Sequence, residues 1–124
     1  MIALDTSSTI AFLSGASGRD VIAVQAALRF GQAVFPPVVV TELLCDPAAT
    51  HEIERFVRSI RQLEILDGYW ERAGETRALV LRKGLKARLA DTLIAQSCLD
   101  HNVALVTRDR DFQNFANHAG LHLE

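Results

Sequence analysis

Short apolar runs alternate with longer stretches of helical spacing along the whole chain, and this alternation restricts the fold more than any other feature. The runs fall at residues 1–4, 33–35, 63–66, 103–106 and 121–123, each bounded by polar or turn residues. They read as about five strands. Helical spacing predicts helices over 7–14, 19–30, 38–45, 50–61, 69–83, 88–101 and 111–118. Strands that alternate with helices form a parallel sheet covered on both faces, so the expected fold class is α/β with three layers, α/β/α. Helix punctuation agrees: Pro37 suits a first turn, and Asp46-Pro47, Gly84 and Gly120 stand where helices should stop.

The 124 residues are enough for one compact unit with a real core, and a single domain over residues 1–124 is expected. With 49% hydrophobic residues and no biased segment, disorder is excluded. A formal charge of −2 argues against a general electrostatic hold on nucleic acid, so any basic surface must be local. Cys45 and Cys98 form no Cys-x-x-Cys or Cys/His spacing, and both are expected to be reduced, buried packing residues. The opening Met-Ile-Ala-Leu-Asp lacks a basic start and a long apolar stretch, and no run approaches the ~20 residues of a membrane span. A cytoplasmic protein without membrane contact is expected.

Parallel strands deliver their C-terminal ends to one edge, where open sheets bind ligands. Asp5 follows the first strand and Asp109 the fourth; on neighbouring strands both carboxylates reach one ion. Asp5 in Leu-Asp-Thr-Ser-Ser also suits a helix cap, and in Thr-Arg-Asp-Arg-Asp-Phe either Asp109 or Asp111 suits a cap with the other as ligand. Glu42 lies three and four residues beyond Val39 and Val38 and shares their apolar side. Ile94, Ala95 and Cys98 follow Asp91 at spacings of three, four and seven, which puts that acid on a core-facing stripe, although a helix N-terminus also favours an acid there. A carboxylate on a buried face is costly without a partner. Convergence of Asp5, Glu42, Asp91 and Asp109 around a hard divalent cation accounts for all four at once. The histidines, at 51, 101, 118 and 122, fall in no zinc spacing.

At these residues the sequence resembles the PIN-domain family, and within it the toxins of VapBC-type toxin-antitoxin pairs. The most specific stretch runs from Leu89-Ala-Asp-Thr-Leu-Ile-Ala to Val-Thr-Arg-Asp-Arg-Asp-Phe112, similar to the family's acid-bearing helix followed by a strand that ends in Thr-x-Asp. Leu-Asp-Thr-Ser at Asp5 and Thr-Glu-Leu-Leu at Glu42 resemble its first two acidic motifs. The resemblance implies that Asp5, Glu42, Asp91 and Asp109 bind metal and carry catalysis, that Thr107 with Thr6 or Ser7 supplies supporting hydroxyls, and that Asp109 rather than Asp111 is the aligned acid. It further implies a PIN-like sheet between helices, Mg2+ or Mn2+, endonucleolytic hydrolysis of RNA, a homodimer, and a cognate antitoxin over the active site.

Arg82, Lys83, Lys86 and Arg88 crowd the approach to Asp91, and Arg108 and Arg110 flank Asp109. Such clusters hold RNA phosphates, or they are a solvated helix end favoured by its dipole. Tyr69 and Trp70 open a helix with Ala73 and Gly74; core packing is preferred to a dimer contact. Two other readings compete. One is a PIN-like RNA-processing or RNA-binding protein outside any toxin-antitoxin pair, its acids acting as structural caps; metal-dependent cleavage separates it from an enzyme. The other is a different acidic metal-site class on a doubly wound sheet, such as a phosphatase or a receiver-like phosphoacceptor; the phosphoacceptor needs a Lys after a late strand, where this chain has Thr107-Arg108-Asp109.

Overall fold

The computed structural model describes residues 1–124. Three of its strands are three-residue apolar segments: β1 (Ile2–Leu4), β2 (Ala33–Phe35) and, near the C-terminus, β4 (Ala104–Val106). Each becomes fully buried toward its C-terminal end, as strands covered on both faces must. The sheet is parallel throughout, in the order β3-β2-β1-β4. Leu123 adds a parallel bridge to Leu105 on the outer side of β4.

β3 (Arg61–Gln62) lies just before the apolar run at 63–66 that was expected to form it. The pairing is made by backbone groups, and Leu63 extends it by one bond, its N–H donating to the Phe35 carbonyl at 2.9 Å. On an edge strand the side chains need not be apolar. Leu63 turns into the core, while Ile65 and Leu66 are exposed in the following loop.

The helices are α1 (Thr6–Leu13), α2 (Arg19–Arg29), α3 (Pro37–Leu44), α4 (His51–Ser59), α5 (Tyr69–Arg82), α6 (Leu89–His101) and α7 (Gln113–Ala119), with a 3-10 turn at Arg110–Phe112 leading into the last. Pro37 begins α3, where a missing N–H costs nothing. Thr50 caps α4 through a bond from the Ile53 N–H. Gly120 ends α7 at φ 84°, a left-handed position that a Cβ would strain.

One cluster of 22 buried residues forms the core, drawing on β1, β2 and β4, on Ile60 and Leu63 at either end of β3, and on the helices. The long buried run of α6, from Ile94 to Cys98, makes it the central helix. Its partner α5 is joined to it by an ion pair of Arg72 with Asp100 at 2.7 Å and by the Tyr69 hydroxyl, which donates to the Leu93 carbonyl at 2.6 Å. Tyr69 is therefore a core residue, whereas Trp70 packs edge-on against it and stays 61% exposed. Cys98 is buried as expected, but Cys45 is exposed. It caps the C-terminus of α3 on the side turned to solvent, its thiol resting on the Glu42 carbonyl. No helix is long and apolar enough to cross a membrane.

Candidate metal centre

Because β1 and β4 are neighbours, their C-terminal ends emerge side by side. The Asp5 N–H continues this ladder, donating to the Val106 carbonyl at 2.9 Å, so the backbone of Asp5 is fixed by the sheet. Its side chain is buried and makes no side-chain capping bond to α1. Instead Asp5 Oδ2 accepts from Thr107 Oγ1 at 2.6 Å and Ser7 Oγ at 2.9 Å. Burial pushes the Asp5 carboxyl above its usual range. The two hydroxyls and the Thr6 N–H oppose that rise, and the charge of Glu42 adds to it.

The other acids come from three further elements. Glu42, near the end of α3, accepts from Thr6 Oγ1 at 2.7 Å. Asp91 lies in the first turn of α6, and its Oδ2 is buried with no hydrogen-bond partner. Burial first, and then the charges of Asp109, Asp5 and Glu42, raise the Asp91 carboxyl to about 6, against a smaller opposing effect of Arg88. Asp109 follows β4, its N–H donating to Thr107 Oγ1 at 3.0 Å while its Oδ1 accepts the Asp111 N–H at 2.9 Å. Asp109 thus caps the 3-10 turn and faces Asp91 at once.

The tightest group is Asp91, Asp109 and Asp111, which can each offer an oxygen with all three within 4.8 Å of one another. The motif resemblance favours Asp109 over Asp111, but the 3-10 turn brings both acids to the same side. The available signal was the i, i+2 pair of acids after a strand, but only the turn decides where the second one points. An unpaired carboxylate oxygen amid other acids is costly in the folded state. A hard divalent cation held by oxygen ligands relieves that cost, and this donor set fits one.

Of the basic residues, Arg82, Lys83, Lys86, Arg88 and Arg110 are exposed; Lys86 and Arg88 precede Asp91 on the loop into α6, Arg110 follows Asp109, and Arg82 and Lys83 lie at the end of α5. The loop between α5 and α6 that carries Lys86 and Arg88 is pinned by Arg77 Nε on the Ala87 carbonyl at 2.8 Å and Asn114 Nδ2 on the Lys86 carbonyl at 2.9 Å. Lys86 Nζ lies 3.2 Å from Asp111 Oδ2. Arg108 is differently employed, since its guanidinium is bound to Asp20. Beside the Thr107–Arg110 segment lies an open hollow of about 500 Å³, lined in part by Thr107, Asp109, Arg110 and Gln113.

A family model described as PIN domain matches residues 2–118. Among solved structures, the crystal structure of FitAcB from Neisseria gonorrhoeae is 18% identical, covering 99% of this chain and 96% of that one at a TM-score of 0.72. VapBC2 from Rickettsia felis bound to a DNA fragment from their promoter is 21% identical, covering 100% and 98% at 0.72. DNA-bound VapBC from Salmonella typhimurium is 19% identical, covering 99% and 96% at 0.73. At these identities the likeness is one of fold. No curated protein matches the chain.

Proposed function

Since the chain belongs to the PIN-domain family, we propose that it is a metal-dependent endoribonuclease, the toxin of a type II toxin-antitoxin pair. The observation that carries the reading is the buried, unpartnered Oδ2 of Asp91 beside Asp109 and Asp111. Asp5, Glu42, Asp91 and Asp109 would hold Mg2+ or Mn2+, with Asp111 within reach of the same position. Such an ion supplies a water of lowered pKa and offsets charge developing on a phosphodiester.

The chain's own groups do the rest. Thr107 and Ser7 donate to Asp5, and Thr6 donates to Glu42, so these two acids are held by hydroxyls that fix their orientation. Arg82, Lys83, Arg88 and Arg110 offer cations to the RNA backbone on either side of the acids. The FitAcB and VapBC structures pair a chain of this fold with a second protein. A cognate antitoxin that places an Arg among the acids would match carboxylates with a bidentate donor. The exposed Trp70 suits the contact of a homodimer.

Incubation of the purified protein with a single-stranded RNA, with Mg2+, with Mn2+ and with excess EDTA, tests this directly. Cleavage is expected only with the cation, and preferentially in unpaired segments, whose bases are open to contact. Full activity in EDTA sinks the metal reading, and metal-stimulated binding without cleavage favours an RNA-binding protein.

A further inference from the structure

Five residues separate the end of β4 from the buried Phe112, and they carry Thr107, Asp109 and Asp111. The sheet holds this segment at one end and the core at the other. Its middle is held by Arg108, whose Nε donates to Asp20 Oδ2 at 2.8 Å and whose Nη2 donates to Asp20 Oδ1 at 3.0 Å and to the Ser17 carbonyl at 3.1 Å. This bidentate pair crosses from the acid-bearing segment to the first turn of α2. The Gly18 backbone runs close beside the pair, where a Cβ would lie 2.6 Å from Asp20 Oδ1 and 3.1 Å from Arg108 Nη2. The Gly18 φ of 147° is a conformation that favours glycine, and a side chain there would also displace the ends of Asp20 and Arg108.

Resting on the metal-site reading above, we infer that Asp20 and Arg108 are positioning residues, a clamp that fixes the segment 107–111 so that Asp109 meets Asp91 at the distance a cation requires. Arg108 is then no phosphate contact. A guanidinium committed to a carboxylate and a carbonyl in a planar, two-bond geometry has little left to offer RNA. What it transmits is order: the Arg108 N–H lies 3.4 Å from Ser7 Oγ, and the preceding Thr107 donates to Asp5. A loosened clamp therefore disturbs the hydroxyl that orients Asp5 and the acid that follows it.

The test uses Asp20→Asn, Arg108→Gln and the double variant. Mn2+ binding is followed without RNA, by calorimetry, and the KM for RNA is measured at saturating Mn2+. The clamp predicts that each single variant raises the half-saturating Mn2+ concentration about tenfold, the usual effect of losing a group that orients a metal ligand. The double variant should be no worse than either single one, and KM should not move. If Arg108 instead holds phosphate, Arg108→Gln raises KM while Asp20→Asn frees the guanidinium and lowers it, and the inference is overturned. Unchanged Mn2+ binding in both folded variants overturns it too. Should a variant fail to fold, Arg108→Lys, which keeps the charge but loses the two-bond geometry, must show a weakened Mn2+ affinity. A wild type that binds no Mn2+ defeats the nuclease reading. Amide exchange at residues 108–111 then decides the clamp alone, with faster exchange in Asp20→Asn supporting it and equal exchange overturning it.

Discussion

Asp91 stores unfavourable free energy in the metal-free protein, and a single substitution should release it. Its carboxyl ionises near 6 in the fold against 3.8 for an ordinary aspartate. Between those values the native state holds a proton that the unfolded chain has lost, so this group's contribution to stability grows as pH falls from about 7 toward 4. Asp91→Asn removes the charge with little change of shape. In EDTA at pH 7.5 the variant should melt a few degrees above wild type, ~1 kcal/mol being worth about 4 °C in a domain of this size. The gap should narrow as pH falls through 6 and close near pH 4, and cleavage with Mg2+ should fall at least about 100-fold. Mg2+ should raise the melting temperature of wild type more than that of the variant. A variant that melts lower at pH 7.5 and still cuts would make Asp91 a structural cap. Much at this scale was legible, because Glu42 and Asp91 sit at helical spacing from residues that must be buried. Asp111 and the engagement of Arg108 by Asp20 were not, since both depend on turn geometry and on a partner 88 positions away.

Helices were read better than strands. α1, α2, α3, α5 and α6 begin and end within one residue of their helical spacing, because apolar periodicity and the punctuating Pro and Gly residues agree on their limits. β3 was displaced because its two residues are polar and exposed, and backbone pairing alone makes it a strand. The last apolar run contributes a bridge through Leu123 rather than a strand of its own, and the start of α7 tightens into a 3-10 turn under the Asp109 cap. The contact between α5 and α6 gives a test that should leave the acids untouched. Tyr69→Phe keeps the buried ring and loses only the bond to the Leu93 carbonyl, which should cost about 1 kcal/mol in urea unfolding. Cleavage should remain at the wild-type rate. A large fall in cleavage, with stability little changed, would mean that α5 sets the position of Asp91 as well as supporting α6.

For the molecule as a whole, a net charge of −2 and an RNA substrate are compatible only if the cations work locally. At ~0.1 M salt, charges farther apart than about 10 Å are largely screened, so the acidic remainder of the surface matters little to a strand lying along the acid edge. Each phosphate neutralised there should contribute about −0.7 to the slope of log K against log salt for a single strand. Binding can be measured on Asp91→Asn, which leaves the RNA intact. Arg88→Gln in that background should weaken binding and make the slope shallower by about 0.7, the effect of one lost contact. Arg29 provides the comparison, because it ends α2 just before β2 begins, at the opposite edge of the sheet. Arg29→Gln changes the net charge by the same amount and should leave both affinity and slope unaltered. Equal effects of the two substitutions would show that overall charge, not a built edge, governs RNA capture.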